Sequence, residues 1–259
     1  MSTQQGTIVW ITGATQGIGA GLARTVPWPD SRVVNISRRE HPTLESVVAD
    51  LTDPASWDVI AEHFARELRD FKGERAIFVH NAIYGSANGF AGEVDPVEQR
   101  RQVMANAAAP LVLGDAFIRA CGPGYESGLL MISSAAAKHA MEGMAVYGAA
   151  KAGMEQWVRG VRAERLRRGA GPWVVAARPG FVATEKMLEA HRAGPANLDD
   201  FPGGAAVAAA LDAGNYLTPD ESARQIWDRM PPDPHGRTVL FVGEFLEGTG
   251  VDATRTTPG

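Results

Sequence analysis

The chain has 259 residues, of which 45% are hydrophobic and 21% are charged, and these figures suit one ordinary globular domain. Its net charge of −5 argues against a nucleic-acid-binding protein, because phosphate backbones normally require a concentrated basic surface. Cys121 is the only cysteine, which excludes an intrachain disulfide, and we interpret it as a buried apolar residue rather than a reactive thiol.

Short apolar, β-rich segments alternate with helical patterns along the chain. The predicted strands lie at 7–12, 32–37, 46–50, 76–80, 129–133, 173–177 and 238–242. The predicted helices lie near 17–25, 54–70, 97–120, 146–168 and 219–230. This alternation is typical of right-handed βαβ units, and no linker separates two differently patterned halves. We therefore predict an α/β fold with a doubly wound, parallel, seven-stranded sheet in a single domain, 1–259.

The helical pattern at 146–168 ends in a basic run. Its members are Arg159, Arg162, Arg165, Arg167 and Arg168, with Glu164 among them. Because cations suit the C-terminal end of a helix, we interpret this run as a solvated helix end and not as a binding site.

Residues 183–217 break the alternation of strands and helices. They contain Gly194-Pro195, the turn-forming segment 201–204 and an alanine-rich run at 205–210. Long segments of this kind inside compact domains often serve as lids or binding loops. We therefore predict a substrate-binding lid at 183–217.

The N-terminal segment and the apolar runs bear on location. Residues 1–7 are polar and show no cationic region followed by an apolar one, so they do not match a signal peptide. No apolar run approaches the ~20 residues that a membrane span needs. We expect a cytoplasmic protein without membrane contact.

A glycine-rich segment follows the first predicted strand directly. The residues in it that we predict to contact a dinucleotide are Gly13, Thr15, Gln16, Gly17, Ile18 and Gly19. Glycines permit a tight turn and close approach of a pyrophosphate, and the next helix offers free N–H groups and its positive dipole end. The G-x-x-x-G-x-G spacing differs from the common G-x-G-x-x-G fingerprint, so a purely structural turn remains the alternative.

Three polar side chains have the spacing of a catalytic site. Tyr147 and Lys151 share one face of a helix about one turn apart, and Ser134 stands thirteen residues before Tyr147 at a strand end. A neighbouring ammonium favours the phenolate, so we expect Lys151 to lower the pKa of Tyr147 toward the range of a general acid. The Ser134 hydroxyl suits a substrate carbonyl oxygen on which negative charge develops. Ser133 remains possible as a structural partner in the same loop.

Asn106 interrupts a run of good helix formers. An amide inside a helix is unfavourable unless its side chain forms a specific interaction. We predict a role in the catalytic site, and a residue at the helix surface or at a kink is the alternative.

Together these motifs resemble the short-chain dehydrogenase/reductase family. The T-G-x-x-x-G-I-G loop at 12–19 and the Tyr147-x-x-x-Lys151 pair match its commonest branch, and the resemblance extends to about residue 242. It implies a Rossmann-type fold and an NAD(P)-dependent oxidoreductase that acts on alcohol or carbonyl groups. It also implies that Lys151 and Tyr147 contact the cofactor, and that Asn106 holds a water near the lysine.

The resemblance implies further cofactor contacts. Asp50-Leu51, after the third strand, match the position where relatives hold the adenine edge, although Asp50 could instead cap the following helix. After the sixth strand, a P-G loop resembles the family element that contacts the nicotinamide. The residues carried over from it are Pro179, Gly180, Val182 and Thr184.

Asn81-Ala82, after the fourth strand, resemble the N-N-A-G element of the family. His80 and Ile83 depart from that element at its first and last positions. We interpret His80 as a packed strand-end residue, because no second ligand lies at metal-binding spacing, and we predict no metal site.

The end of the second strand indicates which dinucleotide binds. Ser37-Arg38-Arg39 offer a hydroxyl and two guanidinium groups where a carboxylate would select NAD. Arginine can grip the 2′-phosphate of NADP with two hydrogen bonds, so we predict NADP(H), with NAD(H) possible. Two solvated arginines at a strand end are the alternative.

The expected activity is the NADPH-dependent reduction of a ketone or aldehyde by hydride transfer, with Tyr147 as proton donor. The segments 133–138 and 217–219 look like the branch of benzil reductase and sepiapterin reductase, which reduces bulky, often aromatic, vicinal dicarbonyls. The residues expected to line an apolar substrate pocket are Met141, Met144, Phe181 and Met187. An alcohol dehydrogenase working in the oxidising direction and a non-catalytic NADP-sensing regulator are the alternatives. The family also pairs through the helices at 107–120 and 146–168, which implies a homodimer or homotetramer.

Overall fold

A parallel sheet of seven strands forms the centre of the structure, a computed structural model that describes residues 6–85, 89–193 and 204–242. The strands are β1 (Thr7–Thr12), β2 (Arg32–Ser37), β3 (Glu45–Val48), β4 (Arg75–His80), β5 (Glu126–Ile132), β6 (Trp173–Arg178) and β7 (Val239–Phe241). Their order is β3-β2-β1-β4-β5-β6-β7, and each neighbouring pair is parallel. The predicted doubly wound sheet in a single domain is confirmed. β5 begins three residues earlier than expected, because Glu126 to Gly128 pair with Arg75 to Ile77 of β4.

Helices cover both faces of the sheet. They are α1 (Gly17–Arg24), α2 (Pro54–Leu68), α3 (Pro96–Val103), α4 (Ala109–Ala120), α5 (Ala145–Arg168), α6 (Glu185–Arg192), α7 (Gly204–Asp212) and α8 (Pro219–Trp227). Buried residues of α2, α4 and α5 pack on one face, and those of α1 and α8 pack on the other. Successive side chains of a strand point to opposite faces, so β1 supplies Trp10 to the first layer and Ile11 to the second.

The position of β1 creates a crevice at one edge of the sheet. The chain runs outward from β1 through β2 to β3 on one side, and through β4 to β7 on the other. Ligands of open α/β sheets bind beyond the carboxyl ends of the strands at such a reversal of strand order. The predicted site segments at 12–19, 80–82 and 132–134 all follow the carboxyl ends of central strands.

The helix predicted at 97–120 is divided by a change of helical pitch. A π-helical turn, Met104–Ala108, separates α3 from α4, and Asn106 lies inside it. Such turns frequently mark functional sites. An 18-residue stretch within Pro96–Ala120 has a mean hydropathy of 1.2, so this segment is, in the described ranges, the one helix long and apolar enough to cross a membrane. Here its residues Leu113 and Phe117 pack in the core against the sheet.

Arg162 corrects the interpretation of the basic run as a uniformly solvated helix end. It is buried, and its guanidinium donates hydrogen bonds to the carbonyl oxygens of Asp233, Pro234, Gly236 and Arg237 at 2.6–3.0 Å. Arg159, Arg167 and Arg168 are exposed as expected. Position 162 differs because it faces the segment that enters β7, whose carbonyl groups need donors once they leave water.

The segment predicted as a lid is described in part. Residues 194–203 lie outside the described residues, and α6 and α7 flank them. A small apolar cluster forms between these helices, with Ala183, Val207 and Leu211 buried in it. Phe181 and Met187 pack against this cluster.

Cys121 follows α4 and is half-buried against the main core. Burial raises the pKa of its thiol to about 12. The thiolate is therefore disfavoured, which agrees with an apolar filler and not with a nucleophile.

Candidate active site

The glycine-rich loop joins β1 to α1 in a shape that depends on its glycines. Gly13 and Gly17 have φ of 73° and 55°, which side chains rarely adopt. A Cβ on Gly19 would lie 2.1 Å from the Gly13 carbonyl oxygen, so α1 and the loop pack too closely for any side chain at this position. Gln16, the N-cap of α1, makes no side-chain capping hydrogen bond in the described part of the chain. This cradle fits the pyrophosphate of a dinucleotide, with Thr15 and Gln16 in the turn and Ile18 packed beneath it.

A buried amide, Asn35 of β2, connects the glycine loop to the turn at 37–39. Its Oδ1 accepts a hydrogen bond from Ala14 N at 3.2 Å. Its Nδ2 lies 3.1 Å from Ser37 Oγ and 3.2 Å from the Arg39 carbonyl oxygen. The sequence analysis missed Asn35, although an asparagine in an otherwise apolar strand was the available signal.

The predicted 2′-phosphate turn lies beside that amide. Ser37 Oγ donates to the Arg39 carbonyl oxygen at 2.6 Å, so the serine closes the turn. Arg38 and Arg39 are exposed, and neither belongs to an ion pair within the described residues. Two guanidinium groups are thus available at the carboxyl end of β2.

Asp50 and Leu51 lie in the turn between β3 and α2. Asp50 Oδ1 accepts from Thr52 N at 2.9 Å, and Leu51 is buried. The alternative in which Asp50 caps α2 is wrong, because the cap is Asp53, whose side chain accepts from Ala55 N. Asp50 therefore shapes the turn that precedes the helix.

The end of β4 is tied to the end of β1. The backbone N–H groups of Asn81 and Ala82 both donate to Thr12 Oγ1, at 2.8 and 2.9 Å. Asn81 Nδ2 donates to the Thr12 carbonyl oxygen at 3.1 Å. This contact places Asn81-Ala82 directly against Gly13, where the adenosine side of the site was predicted.

His80 is buried at the same strand end, as the sequence analysis predicted. Neither ring nitrogen has a hydrogen-bond partner within the described residues. Burial, followed by the nearby Lys151 charge, lowers the pKa of His80 to about 3, so the imidazole is neutral. In the described ranges, no group of three or more His, Cys, Asp or Glu side chains could hold a metal ion.

The three predicted catalytic side chains meet beyond the end of β5. Ser134 caps a short 3₁₀ turn, Ala135–Ala137, and its hydroxyl is hydrogen-bonded to the Tyr147 phenol. Lys151 is 2% exposed, and its Nζ donates to the Ile132 carbonyl oxygen at 2.7 Å. The same Nζ lies 5.7 Å from the centroid of the Tyr147 ring. Their i, i+4 spacing on α5 therefore produces the predicted proximity.

The pKa shifts at this site correct one expectation. Burial raises the pKa of Tyr147, with the hydrogen bond to Ser134 opposing it, whereas we expected Lys151 to lower it. Burial lowers the pKa of Lys151 to about 8, and the Glu155 carboxylate opposes that shift. Lys151 has less effect than burial on the pKa of Tyr147, because the Lys151 ammonium donates to the Ile132 carbonyl oxygen and not to the phenol. Tyr147 therefore keeps its proton at neutral pH and can donate it.

Asn106 bonds the loop after β4. It is buried, which contradicts the alternative of a surface residue. Its Oδ1 accepts from Tyr84 N at 2.8 Å, and its Nδ2 donates to the Tyr84 carbonyl oxygen at 2.9 Å. The π-helical turn orients the amide toward this loop, so Asn106 fixes the backbone at Tyr84.

The P-G loop after β6 faces the glycine loop. Gly180 has a φ of 76°, and Ser222 Oγ of α8 donates to the Pro179 carbonyl oxygen at 3.0 Å. Val182 is buried and forms a bridge with Leu217. Thr184 caps α6, and its Cγ2 lies 3.3 Å from where a Cβ of Gly17 would stand. The two loops therefore close on one crevice, as a dinucleotide bound across the strand ends requires.

A buried ion pair, Glu155 with Arg178, lies beneath the catalytic side chains. Arg178 Nε and Nη2 each donate to the Glu155 carboxylate at 2.7 Å. Ser133 Oγ donates to Glu155 Oε1 at 2.7 Å, so Ser133 is the structural partner that we had left possible. Sequence reasoning missed this pair, and its only signal was a glutamate one turn beyond Lys151.

The crevice, the glycine loop and the Ser134–Tyr147–Lys151 cluster define an oxidoreductase with a nicotinamide dinucleotide cofactor. A family model described as short chain dehydrogenase matches residues 7–194. The chain belongs to this short-chain dehydrogenase/reductase family, whose members act on carbonyl or alcohol groups.

Individual relatives are distant in sequence and similar in fold. The chain is 24% identical to benzil reductase ((S)-benzoin forming) of Bacillus cereus, over 93% of this chain and 96% of that protein. It is 28% identical to 3-oxoacyl-(acyl-carrier-protein) reductase of Escherichia coli, over 70% of this chain and 75% of that protein. A single-residue variant of actinorhodin polyketide ketoreductase, solved with NADPH, superposes with a TM-score of 0.75 at 22% identity, over 94% of this chain and 98% of that one.

Proposed function

We propose that the protein reduces a ketone or aldehyde to an alcohol with NADPH, and that Tyr147 donates the proton. The observation that carries this proposal is the protonated Tyr147 phenol, hydrogen-bonded to Ser134 beside a buried Lys151. A reductase needs an acid that holds its proton until negative charge develops on the substrate oxygen, and the Tyr147 phenol is in its protonated form at neutral pH.

The chain's own residues supply placement and the proton. A bound nicotinamide supplies the hydride. Ser134 and Tyr147 offer two O–H groups to one carbonyl oxygen, which orients the carbonyl and stabilises charge on it. When the oxygen takes the Tyr147 proton, the Lys151 ammonium stabilises the phenolate that remains. Burial strengthens this attraction because little water screens it.

The preference for NADPH rests on the turn at 37–39. Two exposed guanidinium groups lie at the end of β2, where we expect the adenosine ribose, and no carboxylate lies within the turn. A phosphate gains charge-assisted hydrogen bonds there, whereas the ribose hydroxyls of NADH gain no acceptor. The NADPH in the ketoreductase structure is consistent with this preference.

The proposed substrate is a bulky, aromatic or vicinal dicarbonyl, because benzil, the compound in the name of the Bacillus cereus relative, is an aromatic vicinal diketone. Met141 and Met144 lie half-buried in the segment that leads to Tyr147. Phe181 and Met187 pack against the apolar cluster of Ala183, Val207 and Leu211, which belongs to the proposed lid at 183–217. Methionines adapt to irregular apolar shapes, so this surrounding favours an aryl group over a small polar substrate.

We also propose that two copies of the chain associate through α4 and α5. An apolar groove of about 360 Å³ lies between these helices, lined by Ala107, Leu111, Val146, Ala149 and Gly153 among others. Val103 at its edge is exposed. A second copy would cover this surface, and light scattering after gel filtration should give a homodimer or homotetramer mass.

The test of the activity is a substrate panel. NADPH and NADH oxidation would be followed with aryl diketones, ketosteroids, β-ketoacyl thioesters and simple aldehydes, and the corresponding alcohols would be tried with NADP⁺. We expect the fastest reaction with NADPH and an aryl diketone. Faster alcohol oxidation at neutral pH would favour the dehydrogenase alternative. NADPH binding without turnover on any substrate would overturn the proposal in favour of a sensor.

A further inference from the structure

The carboxylate of Glu155 is buried and fully bonded. The residue is 1% exposed, and Ser133 Oγ and Arg178 Nε each donate to its Oε1 at 2.7 Å. Arg178 Nη2 and Arg159 Nη2 donate to Oε2, at 2.7 and 3.3 Å. A carboxylate taken out of water is unfavourable unless its oxygens are bonded, and these four contacts meet that requirement.

Glu155 and its partners belong to three different elements of the site. Ser133 directly precedes Ser134, and Arg178 directly precedes the Pro179-Gly180 turn. Glu155 itself lies one helical turn beyond Lys151 on α5. One side chain therefore joins the carbonyl-binding strand end, the helix of the proton donor and the loop that faces the nicotinamide position.

The arginine is held as firmly as the carboxylate. Arg178 is 6% exposed, and its guanidinium lies 4.7 Å over the Phe241 ring of β7. Its carbonyl oxygen accepts from Val242 N at 3.0 Å. The bidentate geometry restricts both side chains to one arrangement, which a pair of apolar residues would not do.

The charge of Glu155 also acts on Lys151. The groups that face this ammonium are Glu155 and Tyr147 on α5 and the neutral His80 on β4. Glu155 is the negative charge among them, and it counteracts the loss of the Lys151 proton that burial promotes. Without it, the ammonium that stabilises the phenolate would be lost at lower pH.

We propose that Glu155 is a positioning residue for the reaction, which keeps Lys151 charged and holds Ser134 and the Pro179-Gly180 turn in register. This inference rests on the proposed function, because it assigns Glu155 a part in carbonyl reduction. It predicts an effect of the Glu155 charge that goes beyond stability of the fold.

The test compares Glu155→Gln with Glu164→Gln in the full chain. Glu164 is an exposed residue of the same helix and is the matched control. We expect the alkaline limb of the kcat profile of Glu155→Gln to move to lower pH by about one unit, as loss of a nearby opposite charge predicts. The KM for NADPH should change much less than kcat. A folded Glu155→Gln variant with the wild-type pH profile would overturn the proposal.

A double variant, Glu155→Gln/Arg178→Gln, keeps the proposal testable if the unpaired Arg178 causes the single variant Glu155→Gln to unfold. It removes both buried charges, so it should fold and still show the acid-shifted profile. A double variant with wild-type pH dependence would contradict the proposal.

A second readout is independent of turnover. The chain has four lysines, Lys72, Lys138, Lys151 and Lys186, so the Lys151 side-chain signal can be assigned by NMR with a Lys151→Arg variant. Its titration midpoint should fall in Glu155→Gln and stay unchanged in Glu164→Gln. A wild-type protein that reduces no carbonyl while this midpoint still shifts would refute the proposed function alone. Turnover in the wild type with no shift would refute the role of Glu155 alone.

Discussion

The adenosine side and the carbonyl side of the crevice are built from different kinds of side chain. On the adenosine side, the polar groups that shape the site are neutral: the buried Asn35 and Thr12 and the half-buried Asn81 bond backbone atoms of the glycine loop and its surroundings. The guanidinium groups there, those of Arg38 and Arg39, stay exposed, and the carboxyl residue Asp50 is half-buried. On the carbonyl side, the charges are buried.

The buried charges of the carbonyl side are Lys151, Glu155 and Arg178. A phosphate brings its own charge and needs only N–H donors of fixed geometry, so neutral amides suffice to shape its site. Proton transfer needs a titratable group whose pKa differs from its value in water, and burial produces that shift. Within this crevice, buried charge is therefore found on the side where a proton moves.

Tyr147→Phe should show the largest effect. Loss of the phenolic proton should reduce kcat about 10³-fold, in the range of general acid catalysis, while the Kd for NADPH changes little. Stopped-flow turnover and NADPH fluorescence titration measure the two quantities. Tyr125→Phe is the control, because its hydroxyl bonds Gly122 N at the opposite edge of the sheet. Normal turnover by Tyr147→Phe would contradict the assignment of proton transfer to the carbonyl side of the crevice.

Arg38→Ala/Arg39→Ala should act on the adenosine side alone. Loss of charge-assisted hydrogen bonds to the 2′-phosphate should raise the KM for NADPH about 10- to 100-fold. The KM for NADH should stay the same in this variant, which makes NADH the internal control. Equal effects on both dinucleotides would show that these arginines do not read the phosphate.

Asn35→Ala tests whether a neutral amide shapes the cofactor side. It leaves Ala14 N without its acceptor and frees the turn at 37–39, so the Kd for NADPH should rise about tenfold with kcat nearly unchanged. Isothermal titration and steady-state kinetics measure these values. The exposed Asn215→Ala is the control. If kcat fell as much as the affinity for NADPH, the claim that Asn35 acts only on the cofactor side would be wrong.

His80→Asn should act on stability against acid. The pKa of His80 is about 3 in the fold, while it is about 6.5 in an unfolded chain, so the unfolded state binds more protons between these values. Stability therefore falls as the pH falls from about 6.5, by about 1.4 kcal/mol per unit. The variant should lose this dependence, and urea unfolding at pH 7, 6 and 5 measures it. The exposed His235→Asn should keep the wild-type slope.

Patterns among residues close together in the chain were enough to predict much of the fold and part of the site. Apolar strands alternating with helices predicted the seven-stranded sheet, which the structure confirms. The spacing of Gly13, Gly17 and Gly19 and the i, i+4 pair of Tyr147 and Lys151 express local geometry, because a tight turn and a helical face are each set within a few residues.

Contacts between segments far apart in the chain could not be predicted from such patterns. Arg178 reaches Glu155 across 23 positions, and Asn106 reaches Tyr84 across 22. Arg162 belonged to a run that its composition marked as solvated, yet its partners are carbonyl groups about 70 positions away. No local pattern records such pairings.

The order of residues alone sets which chemical groups are present and which of them are neighbours on one turn or one helix face. The tertiary structure decided their protonation. The pKa of Tyr147 is raised and that of Lys151 is lowered because other elements bury both groups, while Ser134 and Glu155 oppose these two shifts. Desolvation depends on everything packed around a group, so it exists only once the chain has folded.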